Sequence, residues 1–481
     1  MTREASATRR YGVVLTVILI TQLMVTLDGT VISVAIPKIE QTLHFSPADL
    51  SWVQNAYALA FGGLLLLGAR AGDLLGRRRV FIVGVGVFTF ASLCGGLAPT
   101  AGSLLAARVV QGLGAAIAAP AALAFLMLAA GEGTRRLKAL GLYSLVNSGG
   151  ASVGLLLGGV LTDRLSWRWG LFINVPIGIA LMITARVVLP RAKRETGHFD
   201  GAGALTSTVG VTAIVYGLIR AAQAGWSSIE VLSAFGAGSI LLIAFVLIER
   251  RASHPVVPLK LFASFDRDSS YLSMLLLVGT LLGMFFFLTQ YMQGVLGFTP
   301  LQAGLGFLPL TALLLIMTRI VPRLIGWVGR GLLTVLGSVV VLGGMVWLSQ
   351  VTVHSSYAAN ILGPLVLFGI GAGALFIPLT GRALAHVRPE HAGAASGMLN
   401  VTQQLGGALG LGVLVTIFGT AIRGRGAMDS RELLTRGVHQ AYLGATGFAV
   451  ITLLVMVISL RPWRRRKNSV GTEEAVVVAD A

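Results

Sequence analysis

Two ionisable side chains stand deep inside otherwise apolar runs: Asp28, in "TQLMVTLDGTVISVAIP", and Arg108, in "LLAARVVQGLGAA". A charge at the depth of a bilayer centre costs ~2.5–3.5 kcal/mol on insertion scales, so such residues are functional candidates by default. A carboxylate there can carry a proton or a cation, and a base that approaches and withdraws would switch its proton. Asp28 comes about sixteen residues into its run, ~24 Å along a helix and past the midplane towards the outer leaflet. Its other reading is an acid satisfied by Thr30 and water at an outer vestibule. Arg108 opens its run near the outer boundary, where a long side chain can also snorkel to the interface. A third cluster, Asp73 with Arg77, Arg78 and Arg79, sits in a short polar bridge between two apolar runs, next to Gly72 and Gly76. An anchor explains the bases. It does not explain an acid among them, or glycines that let backbones approach. That combination suits a latch made in one conformation and released in another.

The elements that hold these residues follow from composition. Of 481 residues, 55% are hydrophobic and 12% charged, about half the charged share of a soluble domain, and the mean hydropathy is +0.83. A spanning helix needs ~20 mostly apolar residues. Fourteen such runs can be placed, at 12–36, 52–70, 80–98, 103–129, 140–162, 169–189, 203–222, 229–249, 271–294, 302–325, 331–350, 358–380, 395–421 and 439–460. The N-terminal "MTREASATRR" has the charge of a signal peptide, but the run after it is too long and has no small-residue cleavage site, so it reads as a retained first helix.

A net charge of +18 might suggest nucleic acid, but the bases are dispersed among apolar segments and form no basic face on a folded domain. With the N-terminus inside, most of the Lys and Arg residues fall in cytoplasmic loops, which puts both termini in the cytoplasm. Arginine dominates over lysine, the usage of a GC-rich bacterial genome. The single cysteine, Cys94, can form no disulfide within the chain or metal cluster. His386 and His391 read as solvated loop residues rather than metal ligands. No phosphate-binding loop and no clustered catalytic set point to ATP use or to an enzyme.

Several stretches together resemble one family. "GARAGDLLGRRR" resembles the loop signature of the major facilitator superfamily, with Asp73, Gly76, Arg77 and Arg78 at matching positions; Ala69, Ala71 and Leu74 depart from it. "LDGTVISVAIPKI" resembles the first-helix motif of the fourteen-helix drug:proton antiporters. "RVVQGLGAA" resembles their fourth-helix motif, and "SWRWGLFINVPIG", "FTPLQAGLGFLP" and "GAASGMLNVTQQLGGALG" are similar to further family stretches. The fifth-helix antiporter motif survives in its glycines, Gly150, Gly154, Gly158 and Gly159, which suit close helix packing, but Leu155 stands where that motif has proline. "RIVPRLIGWVGRGLL" (319–333) is a faint second copy of the loop signature, without the acid.

The resemblance implies an all-α integral membrane protein of the major facilitator fold. It would have a six-helix bundle at 11–190, two additional helices at 203–249, a second bundle at 265–461 and a cytoplasmic tail at 462–481. It implies proton coupling through Asp28 and Arg108, with Gln111 beside them, and a latch at Asp73, Gly76, Arg77 and Arg78. A central cavity would draw on Asn55, Tyr57, Gln111, Asn147, Ser148, Gln290, Tyr291, Gln293, Asn400, Gln403 and Gln404, each of which can equally be a helix–helix hydrogen bond. The expected activity is efflux of lipophilic drugs or antibiotics across a bacterial cytoplasmic membrane by a monomer, driven by the proton gradient without cofactor or metal. With Leu155 in place of proline, a proton-coupled importer stays open, as does an exporter of one endogenous metabolite. The loop before the last helix is net basic, with Arg423, Arg425, Arg431 and Arg436, an outer mouth expected to disfavour dications.

Overall fold

Every long apolar run becomes an α-helix, and no strand occurs among the described residues. Lipid offers a backbone no hydrogen-bond partner, so a spanning segment must satisfy its own N–H and C=O groups. The computed structural model describes residues 2–46, 49–130, 134–190, 201–251, 264–383, 385, 392–423 and 429–460. Among them, eleven segments are long and apolar enough to cross a membrane. The three other long helices, α2 (Trp52–Leu75), α5 (Thr134–Arg164) and α8 (Gly201–Ala224), fall on the three remaining expected spans.

The helices outrun their apolar cores. The first, α1 (Thr2–Leu43), begins well before the expected residue 12 and carries Pro37 inside it. A helix ladder closes as well in water as in lipid, so hydropathy marks the depth of immersion and not the helix end. Helix α10 (Phe265–Gly294) starts early for another reason: Asp266 and Asp268 lie in its first turn, where acids complement the helix dipole. Two expected spans are broken. The sixth divides into α6 (Trp169–Phe172) and α7 (Asn174–Val188), because Pro176 has no N–H to return to Phe172. The tenth divides at Phe307 into α11 (Pro300–Gly306) and α12 (Leu308–Val328), with Pro309 causing the same loss.

The remaining helices are α3 (Arg77–Gly96), α4 (Ala101–Ala130), α9 (Ile229–Arg251), α13 (Arg330–Leu348), α14 (Leu362–Ala383, entered through a π-turn at Tyr357–Ile361), α15 (Ala392–Ile422) and α16 (Ser430–Ser459). Helices α1 to α7 pack mainly on one another, as do α10 to α16; α8 and α9 pair, and α8 leans on α2 and α15. Large apolar side chains face outwards around the molecule, Ile229 at 85% and Trp327 at 87% exposure among them. An apolar belt of this kind suits lipid and would aggregate in water.

The two halves repeat one turn. Gly76 joins α2 to α3 with φ 97°, and Gly329 joins α12 to α13 with φ 83°. Each donates its N–H four residues back, to Gly72 O at 3.2 Å and to Ile325 O at 3.0 Å. The left-handed backbone requires glycine, and an arginine opens the next helix in both copies. The sequence copy at 319–333 is therefore a structural copy too, although it has lost the acid.

The halves meet most fully on the face opposite Gly76. There a buried apolar cluster runs without interruption from Ile32, Ile36 and Leu155 of the first half to Met284, Tyr291 and Phe418 of the second. Gln293 donates to Val34 O at 2.9 Å across the join. Along the middle of α2, the first half reaches the second through Val401, Leu405 and Ala408 of α15. Among the described residues, the large apolar cluster that joins and seals the halves is the one on the face opposite Gly76.

Candidate functional site: a buried charge pair in the first half

Asp28 and Arg108 meet. Arg108 Nη1 lies 2.5 Å from Asp28 Oδ2, and both side chains are buried, at 1% and 0% exposure. Arg108 does not snorkel. It turns inwards, donates from Nε to Val53 O at 2.9 Å, and lays its guanidinium over the Tyr57 ring at 4.5 Å, a cation–π contact. Gln111 lies one helical turn further along α4, on the same face. Its Oε1 accepts from Arg108 Nη1 at 2.7 Å, while its Nε2 donates to Asp28 Oδ1 at 2.6 Å and to Ser92 Oγ at 2.8 Å. Asn174 Nδ2 donates to Asp28 Oδ1 at 3.0 Å. Three helices, α1, α4 and α7, therefore meet at the carboxylate, and α2 and α3 join the network through Arg108 and Gln111.

The vestibule reading of Asp28 is corrected here. Thr30 Oγ1 donates to Thr26 O and Leu27 O of its own helix, and the acid is held by charge and amides from other helices. Asn174 and Ser92 were not legible as site residues. Asn174 lies inside the quoted "INVPIG" stretch, immediately after the helix break that Pro176 causes, and this placement was its one available signal. Ser92 carried none. Gln54, which donates to Ser33 Oγ at 2.9 Å between α2 and α1, belongs to the same polar layer.

Each ion of a buried pair gives up several kcal/mol of hydration, offset only by good geometry and further hydrogen bonds. Asp28 has both. Removing one partner leaves an uncompensated charge, at a cost of about 3–5 kcal/mol.

The other sequence candidates separate. Asn55 is fully buried, and neither its Oδ1 nor its Nδ2 has a partner among the described residues; the Tyr57 hydroxyl is likewise without one. Gln404 backs onto Gly62, where an added Cβ would come 2.5 Å from its Cβ. Gln290 and Gln293 line a cavity on the far face. Tyr291 is a correction: it is wholly buried in the second half and donates to Thr352 O at 2.5 Å, so it faces no central cavity. Asn400 is exposed and Gln403 half-buried. The side chains of Asn147, Ser148 and Asp73 lie outside the described residues, as do His386, His391 and residues 462–481.

The α5 glycines are contact points. A Cβ on Gly150 would come 3.0 Å from Leu23 Cδ1, one on Gly158 2.7 Å from Val31 Cα, and one on Gly159 2.8 Å from Leu301 Cα; one on Gly154 would overlap Thr30 Oγ1. The first half's α5 is thereby fastened both to α1 and, through Gly159, to α11 across the seal. Helix α5 continues unbroken through Leu155. At the Gly76 turn, Arg78 donates to Arg186 O at the end of α7, tying two helices of the same half. In the second half, Arg382 meets Asp266 at 3.0 Å with the acid largely exposed, a pair worth about 0–1 kcal/mol.

Comparison with known proteins gives the wider setting. The family profile described as Major Facilitator Superfamily matches residues 18–411. The cephamycin export protein of Amycolatopsis lactamdurans is 42% identical over 441 residues, covering 91% of this chain and 89% of that one. The puromycin resistance protein of Streptomyces alboniger is 40% identical over 457 residues, covering 92% and 89%. Among solved structures, a bacterial homolog of the human lysosomal transporter Spinster, in an inward-facing and occupied conformation, aligns with a TM-score of 0.65 at 16% identity, covering 92% of this chain and 96% of that one; at that identity the likeness is one of fold.

Proposed function

The chain belongs to the Major Facilitator Superfamily, and on that premise we propose that it exports lipophilic small molecules, drugs or antibiotics, across a bacterial cytoplasmic membrane in exchange for protons. Like its relatives it is a membrane transporter and not an enzyme. The observation that carries the coupling is the Asp28–Arg108 pair with its three-sided support of the carboxylate. With Asp28 ionised, the pair holds α1 and α4 together. With Asp28 protonated, Arg108 loses its counter-charge and the arrangement loses about 3–5 kcal/mol. A conformation that hydrates Arg108 is then favoured, and proton arrival drives the change between inward- and outward-facing states. One charge crossing 100 mV supplies ~2.3 kcal/mol, enough for roughly fiftyfold accumulation of a neutral substrate at ~1.4 kcal/mol per tenfold.

In this reading the bundles span 11–190 and 265–461, the pair of helices at 203–249 lies between them, and the fourteen spans leave both termini in the cytoplasm. The Gly76 face is cytoplasmic, and the sealed face looks outwards. Gly76, Arg77, Arg78 and Asp73 form the latch, Asn55 and Tyr57 offer unpartnered polar atoms to a central cavity, and the protein acts as a monomer. A second reading is supported by the relatives' names: the cephamycin and tetracenomycin C proteins are described as export proteins, which favours export of one antibiotic over a broad range. Everted vesicles with an imposed pH gradient and a lipophilic panel test both. Gradient-driven uptake that disappears in Asp28→Asn is expected. Wild-type uptake in that variant would refute the coupling, and uptake of a single antibiotic would select the second reading.

A further inference from the structure

Beyond the seal, on the face opposite Gly76, lies a cavity of about 580 Å³, within the ~300–1,000 Å³ of drug-sized sites. Both halves wall it. The first contributes the ends of α1 and α5, and the second α10, the start of α11, α15 and α16. Gln293, which ties the seal through Val34 O, is one of its lining residues. The cavity is therefore built by closure of the far face and is separated by that closure from the Asp28 network.

Its chemistry is specific. Among the described residues, the charged lining side chains are Lys38, Glu40 and Asp163, an excess of one acid, and none of the three forms an ion pair among the described residues. Thr162 also lines it, with a buried Oγ1 that has no partner among the described residues. Phe298 and Phe418 supply aromatic wall. Of the described bases near the last helix, Arg423 is turned towards Gly225, at the join of α8 and α9, and Arg431 and Arg436 are exposed on α16; none of these three is a lining residue, and Arg425 lies outside the described residues. Among the described residues, the local sign is thus the reverse of the sign expected from the loop as a whole. An acid excess with an unsatisfied hydroxyl and aromatic walls matches an amphiphile that carries a protonated amine on an aromatic body.

We propose that this cavity is a binding site for amine-bearing aromatic amphiphiles, a station on the outer side of the seal. The proposal rests on the reading of the chain as a small-molecule transporter, but not on its proton coupling. The test uses the full-length protein in nanodiscs with Cys94→Ser as background. Cys94 is the one cysteine and is exposed. Gln41, exposed and on the cavity wall, is changed to cysteine and labelled with a membrane-impermeant maleimide. Dansylcadaverine is the probe, and its N-acetylated neutral form is the control. The amine should slow labelling at Gln41→Cys and bind about tenfold more tightly than the acetylated form. Glu40→Gln combined with Asp163→Asn should erase that difference while the dansyl group still binds. Equal binding of the two probes to the unaltered site, or labelling unaffected by saturating amine, would overturn the site. Loss of gradient-driven transport with protection intact would count against the coupling alone and leave the site standing.

Discussion

Replacing Asp28 by asparagine keeps the shape of the side chain and removes its charge. Arg108, at 1% exposure, is then left with Val53 O, Gln111 Oε1 and the Tyr57 ring as its surroundings. Losing one member of a buried pair costs about 3–5 kcal/mol. At ~2.1 cal/mol/K of unfolding entropy per residue, a chain of 481 residues should melt about 3–5 °C lower. Arg108→Gln alone strands the opposite charge and should cost a similar amount. The double variant Asp28→Asn with Arg108→Gln strands neither, and neutral amides can bridge the gap to Gln111 and Asn174. Replacing a whole buried pair is often neutral or stabilising, so its melting temperature should return to within about 1–2 °C of wild type. Transport should not return, because no titratable group is left in the pair. Tryptophan-monitored melting and pH-driven uptake, run on all four proteins, measure the two quantities separately. Additive destabilisation in the double variant would refute the pairing, and recovered gradient-driven transport would refute its role as proton carrier.

Asn174→Ala removes one donor from the carboxylate and leaves the charge pair in place; it should cost about 1.5–3 kcal/mol and lower gradient-driven uptake more than exchange at equal pH, as paired uptake assays would read. Gly159→Leu places a side chain where Leu301 Cα would lie 2.8 Å from its Cβ. It should therefore part the seal and raise maleimide labelling of Gln41→Cys several-fold, and unchanged labelling would mean that the two halves do not close there. Gly76→Ala and Gly329→Ala each force a side chain onto a left-handed backbone and should each cost about 1–2 kcal/mol, visible as a lower melting temperature. If only one of the two is destabilised, the turn is not a shared element of the repeat.

The sequence by itself determined much of this protein. Helical spans follow from composition and run length, because a backbone in lipid has no other way to satisfy its polar groups. Asp28 and Arg108 were conspicuous for the same reason, since a charge in an apolar run is costly wherever the run finally packs. Gly76 announced a turn, and the copy at Gly329 could be found because a left-handed junction restricts residue choice in the same way twice. The pairings were not legible. Arg108 and Asp28 are 80 residues apart, and Asn174 and Asp28 146 apart. Hydropathy gives the depth of a residue along its helix, but it says nothing about how that helix is rotated or which neighbour it meets. Rotation turned Arg108 inwards when snorkelling was equally open to it, and it placed Tyr291 in the second half's core when its polar neighbours suggested a cavity. It also left Glu40 and Asp163 facing one space while Arg423 turns towards Gly225 and Arg431 and Arg436 are exposed on α16. These outcomes are decided by how glycine-lined helices seat against one another, as Gly158 does on Val31 and Gly159 on Leu301, and that seating exists only once the whole set of helices is assembled.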